Sequence, residues 1–88
     1  MAVRVEWTPP ARRDIARLPP KVALAVLTYV DARLAENPER LSKPLRGELA
    51  HLRSARNGDY RILFRLDAES AVLWIVGVDH RAHAYRPG

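Results

Sequence analysis

Residues 56–66, Arg-Asn-Gly-Asp-Tyr-Arg-Ile-Leu-Phe-Arg-Leu (RNGDYRILFRL), decide the fold. Asn57-Gly58-Asp59 is a turn signal, because glycine takes positive φ without steric cost and Asn or Asp can bond its own backbone. After the turn the residues alternate. Tyr60, Ile62, Phe64 and Leu66 fall on one face, and Arg61, Leu63 and Arg65 on the other. The segment before the turn, HLRSAR at residues 51–56, supplies the partner strand. This hairpin has one face able to build a core and one face set with arginine. It therefore needs cover on one side only.

The neighbouring segments supply that cover and the rest of the sheet. Residues 67–70 (DAES) form the next turn, and AVLWIVGV at 71–78 is apolar on both faces, which predicts a central strand. HAYRP at 83–87 is expected to add a last short strand. At the other end, VRVEW at 3–7 alternates as a half-buried strand. Thr8 and Pro9 then read as an N-cap and a first helical residue. Ala11, Ile15 and Leu18 follow at i, i+4 and i+7 on a short helix that LPP at 18–20 ends. Ala23, Leu27, Val30 and Leu34, widened by Val26 and Tyr29, predict a second helix over about residues 20–36, stopped by Asn37-Pro38. Residues 39–50 have no clear period and are expected to be a loop with room for a short strand. The predicted fold is α+β: a small antiparallel β-sheet with an N-terminal strand and an α-helical hairpin packed on one face, as a single domain over 1–88. The other sheet face has no helix left to cover it, so Arg61 and Arg65 are expected to point out of it.

Composition limits the chemistry. The chain has 88 residues and no cysteine, so neither a disulfide nor a thiolate metal site can support the fold, which must rest on the 48% of residues that are apolar. His51, His80 and His83 show no recognised ligand spacing, and no metal or cofactor is expected. Ser42, Ser54 and Ser70 have no visible triad partners, and the four glycines are too scattered for a phosphate-binding loop. Residues 1–30 hold scattered basic residues in place of an export signal, and the longest apolar run, 71–78, is too short to span a bilayer as a helix. A cytoplasmic location is expected. The net charge is +5 and the pI about 10.4. All of the 15 basic residues except Lys21 and Lys43 are arginine. Arginine forks onto phosphates and carboxylates, so this balance fits a polyanionic partner as well as a plain solvated surface.

Three segments carry a family resemblance. PPARRDIARLP (9–19), KPLRGELAHLRSARNGDYRILFRL (43–66) and VDHRAHAY (78–85) resemble, in order and spacing, the first helix, the middle signature and the terminal histidine-arginine element of RelE/ParE-type toxins. The resemblance covers nearly the whole chain. It implies the same fold and the toxin half of a type II toxin–antitoxin pair, silenced by an acidic or amphipathic antitoxin segment that wraps the toxin. RelE-like members cut translated mRNA in the ribosomal A site, whereas ParE-like members inhibit DNA gyrase without cutting RNA. A toxin fold that has weakened in activity and serves as an antitoxin partner is a further alternative.

Under the RelE-like reading, the chemistry needs a base for the ribose 2′-OH, positive charge at the phosphate and an acid for the leaving 5′ oxygen. Arg61 matches the family's catalytic arginine, Arg81 the arginine of the terminal element, and Arg56 one of two basic positions on the catalytic strand. The other basic position is Ser54 here, which leaves the base unassigned. Tyr85 can stack on a base or move a proton, and His83 can share its strand face and act as acid or base. Lys43, Arg46, Arg53 and Arg65 are expected to bind RNA phosphates. Each also has a plainer reading as a solvated, loop-shaping or salt-bridged side chain.

Overall fold

The structure, a computed structural model, describes residues 3–80. Strand β1 is Arg4–Trp7, helix α1 Pro9–Arg17 and helix α2 Pro20–Tyr29, which continues as a π-helical turn over Val30–Leu34. Strand β2 is Ser42–Pro44, followed by a 3-10 turn at Gly47–Leu49. Strands β3 (Arg53–Asn57), β4 (Tyr60–Asp67) and β5 (Val72–His80) complete a five-stranded sheet in the order β1-β5-β4-β3-β2. The pairings from β2 through β5 are antiparallel, while β1 runs parallel to β5, from Arg4 opposite Val72 to Trp7 opposite Ile75. The strand expected at 83–87 lies outside the described residues. No helix among the described residues is long and apolar enough to cross a membrane.

One face of the sheet meets the helices. Ala11, Val26, Val30 and Leu34 pack against Ala55, Ile62, Phe64, Leu73, Ile75 and Val78, all buried. Val3, Val5 and Trp7 of the alternating N-terminal segment close the same core from the β1 edge. Burial of a side chain the size of Phe64 or Leu34 stabilises by about 1.5–3 kcal/mol, which is what holds so short a chain together.

Two local devices differ from the sequence expectation. Thr8 stands at the N-cap of α1, yet its hydroxyl makes no cap bond and donates instead to Ile75 O at 2.7 Å. Pro9 and Pro10 follow it, so one of the two amides that an N-cap oxygen usually receives does not exist. The second helix does not keep its α period to residue 36. Ala35 N–H reaches back five residues to Val30 O at 2.9 Å, and Ala35 O accepts from Val3 N–H at 3.1 Å. The widened turn fastens the end of the helical hairpin to the start of β1.

The central strand is irregular where it leaves β1. Pairing between β4 and β5 shifts between Leu63 and Phe64, since Phe64 lies opposite Ile75 but Leu63 lies opposite Gly77. Val76 is the extra residue of a bulge. Side chains alternate with period two, so this insertion reverses the facing of everything beyond it. Val78 returns to the core, and Asp79 turns to the open face opposite Arg61. Helix α1 takes over the β5 edge at the same place: the Asp14 carboxylate accepts Val78 N–H at 2.9 Å. An exposed strand edge is thereby satisfied without another strand.

Candidate nucleic-acid interface

The hairpin at 53–67 sets the geometry. Gly58 has φ of +60°, and Asp59 is not among the positive-φ residues, the pattern of a type II′ turn. Such a turn locks the register of its strands. Arg56 is placed opposite Arg61, and Ser54 opposite Leu63. Two side-by-side rows result on the open face. One runs Lys43, Ser54, Leu63 and Gly77 across β2 to β5; the next runs Arg56, Arg61 and Asp79.

A groove of about 1220 Å³ runs along these rows, lined by Lys43, Arg46, Ser54, Arg56, Arg61 and Asp79, among others. Like charges directly opposite on a sheet repel, so the Arg56–Arg61 pairing is destabilising in itself. Arg56 is exposed and, among the described residues, makes a long bond from Nε to Gly58 O, 3.4 Å. Arg61 is half-buried between Arg56 and Asp79, where removal from water strengthens its field. The Asp79 carboxylate accepts the N–H of His80 at 2.8 Å. Arg46 stands just before the 3-10 turn at the groove's rim, its side chain making no cap bond, and Gly47 has φ of +64°, the left-handed backbone expected there. Leu49, 51% exposed, lies beside it. Tyr29 reaches the rim from α2; burial raises its hydroxyl pKa, and the nearby Arg33 charge partly offsets the rise.

The structure divides the expected site residues. Lys43, Arg46, Arg56 and Arg61 converge on the groove. Arg53 does not: it shares the helix-side face with Phe64. Its Nε donates to Ser42 Oγ at 2.7 Å, and Nη2 donates to Glu39 O and Ser42 O at 3.3 Å each. Arg53 is thus an anchor for the turn before β2. Arg65 is on the open face but lies four residues along β4 from Arg61, about 13 Å away. Its guanidinium sits over the Trp74 ring, 5.7 Å from the centroid. Arg81, His83 and Tyr85 lie outside the described residues. His80 packs edge-on against Tyr60, ring centroids 5.2 Å apart, and belongs to the support of the site. Sequence reasoning missed Asp79 as a groove residue. Gly77, a glycine inside a strand pattern, was the available signal of the bulge that turns Asp79 outward.

Comparisons with known proteins agree with this fold. Residues 5–85 match the family described as ParE toxin of type II toxin–antitoxin system, parDE. Toxin RelG of Mycobacterium tuberculosis is 46% identical over 86 residues, spanning 98% of this chain and 99% of the relative. Toxin RelE of the same organism is 43% identical over 82 residues, 93% of this chain and 84% of the relative. Among solved structures, a RelBE-type toxin–antitoxin complex from M. tuberculosis superposes with a TM-score of 0.89 at 44% identity, covering 92% of this chain and 100% of that one. An archaeal RelE–RelB complex from Pyrococcus horikoshii gives a TM-score of 0.70 at 25% identity over 92% of this chain and 97% of that one.

Proposed function

We propose that this chain, which belongs to the RelE/ParE family of toxins of type II toxin–antitoxin systems, is a ribosome-dependent endoribonuclease that cuts translated mRNA. The observation that carries this reading is the cationic groove. Arg56 and Arg61 are held opposite one another, with Asp79 on the far side of Arg61, on a face that the helices leave open. An RNA phosphate between the two arginines converts their repulsion into attraction.

The reaction would proceed by attack of the ribose 2′ oxygen on the adjacent phosphorus. A base takes the 2′-OH proton, the P–O5′ bond breaks, and an acid protonates O5′. The products are a 2′,3′-cyclic phosphate and a 5′-OH. Arg61 stabilises the charge that builds on the phosphorane oxygens, where one well-placed donor contributes about 10²–10³ in rate. Arg56 and Arg46 hold the flanking phosphates. Arg81, Tyr85 and His83 are the sequence candidates for the remaining charge and the proton transfers. Binding of an acidic or amphipathic antitoxin segment over this groove would neutralise the same cations, and the two toxin–antitoxin complexes above support such a partner. This chemistry belongs with a cytoplasmic protein.

The test is the chemistry of the cut ends. Ribosome-bound mRNA cut by the protein should carry 2′,3′-cyclic phosphate and 5′-OH termini, and a single 2′-deoxy substitution at the cut site should abolish that cut. Cleavage that survives 2′-deoxy substitution refutes the mechanism. Inhibition of gyrase is the second reading, favoured by Ser54 at a position where RelE-like members carry a basic residue. Loss of supercoiling activity in purified gyrase, with mRNA left intact, would establish it.

A further inference from the structure

We propose that Lys43 is a transition-state charge residue of the nuclease reaction. Acting from the edge strand β2, it occupies the place where β3 offers only the hydroxyl of Ser54. The inference rests on the nuclease reading above and adds a residue and a role to it.

The register carries the assignment. Lys43 lies directly opposite Ser54, and Arg56 is two residues further along β3 on the same face. Directly opposed Cβ atoms are about 4.5–5.5 Å apart and diagonal neighbours about 7–8 Å, so the stem of Lys43 is long enough to span the Ser54 position and come within reach of Arg56. With Arg61 opposite Arg56, three cations surround one stretch of the groove floor.

The strand that presents Lys43 is short but firmly held. Arg53 donates three hydrogen bonds into residues 39–42, and Ser42 Oγ donates back to Pro38 O. Leu45 N–H donates to Leu52 O at 2.9 Å just beyond β2. These bonds fasten both ends of a three-residue strand. Fixing the strand fixes the point from which the Lys43 stem leaves, which lowers the reorganisation an electrostatic catalyst must make as the reaction proceeds. Edge-strand lysines often serve only to block strand pairing, but that duty needs no neighbouring cations. Here the exposed Lys43 lines the same groove as Arg56 and Arg61. Its compact ammonium has three donors and can meet a non-bridging phosphate oxygen. Lys43 keeps its proton throughout, so the 2′-OH proton and the proton to O5′ pass through other groups.

Moving the charge across the strand pair tests the assignment. Single-turnover cleavage of ribosome-bound mRNA would be measured for the wild type, Arg61→Ala, Lys43→Ala and the exchange Lys43→Ser/Ser54→Lys. Binding to the same complex carrying 2′-deoxy mRNA would be measured in parallel, and circular dichroism would check the fold. Lys43→Ala should lower the rate by about 10²-fold, with a loss of binding under threefold. The exchange variant, with its lysine at the opposed position, should recover to within tenfold of the wild type. Unchanged cleavage by Lys43→Ala, a binding loss equal to the rate loss, or an exchange variant as slow as Lys43→Ala would each overturn the role of Lys43 while leaving the nuclease reading intact. A wild type that cuts nothing would overturn both.

Discussion

Replacing Arg56 by Gln should stabilise the fold while impairing function. Arg56 faces Arg61 across β3 and β4, and its long bond to Gly58 O, 3.4 Å, holds it weakly. With the two charges about 6 Å apart, and with the dielectric of water setting the lower bound for a half-buried Arg61, the repulsion is at least about 0.7 kcal/mol before screening. Physiological salt, with a Debye length near 8 Å, roughly halves this to about 0.3 kcal/mol. At about 0.01 M salt the screening nearly vanishes and about 0.6 kcal/mol remains. For a domain this size, a gain of 1 kcal/mol raises Tm by about 4–8 °C. Arg56→Gln should therefore raise Tm by about 1–2 °C at physiological salt and about 2–5 °C at low salt. Scanning calorimetry at the two ionic strengths measures both the sign and the salt dependence. A lowered Tm, or a gain indifferent to salt, would refute the claim that the groove stores charge repulsion.

Other substitutions probe the supports of the site. Phe64→Ala should cost about 3–5 kcal/mol, because the ring is fully buried between the sheet and the helical hairpin, and equilibrium urea unfolding would show it. Asp14→Ala should cost about 1–2 kcal/mol by leaving Val78 N–H without its acceptor, and hydrogen exchange at the Val78 amide should quicken selectively. Ala71, a non-glycine residue at φ of 56° in the turn before β5, should tolerate Gly with a gain of up to about 0.5 kcal/mol, the relief of left-handed strain slightly exceeding the added chain entropy. Ala71→Val should instead be destabilising, and thermal melts of the two variants would show the opposite signs.

The sequence showed the hairpin and the division of its faces because both follow from strict local rules. Asn57-Gly58-Asp59 allows few turns, and the alternation from Tyr60 to Leu66 leaves one choice of core face. The helical hairpin was equally legible from its prolines and its apolar stripe. Long-range features were hidden. That β1 pairs parallel to β5 depends on where the helical hairpin delivers the chain, and no residue of VRVEW encodes it. The facing of Asp79 depends on one extra residue at Val76, and period-two counting along β5 without that residue puts Val78 on the open face. Arg53 and Arg56 look alike in sequence, yet strand parity sends one to brace the turn before β2 and the other into the groove. Lys43 became a partner of Ser54 only once β2, a strand of three residues, had a register.

The most direct test is primer extension on a reporter mRNA in a cell-free translation reaction, with the protein added in the presence and absence of ribosomes. Wild type and Arg61→Ala would be compared at matched, folded concentration. Cuts within the reading frame that require ribosomes and vanish with Arg61→Ala are the predicted result. Cuts that persist in Arg61→Ala, or an intact message in a reaction the wild type still arrests, would contradict the claim that the arginine groove cleaves RNA.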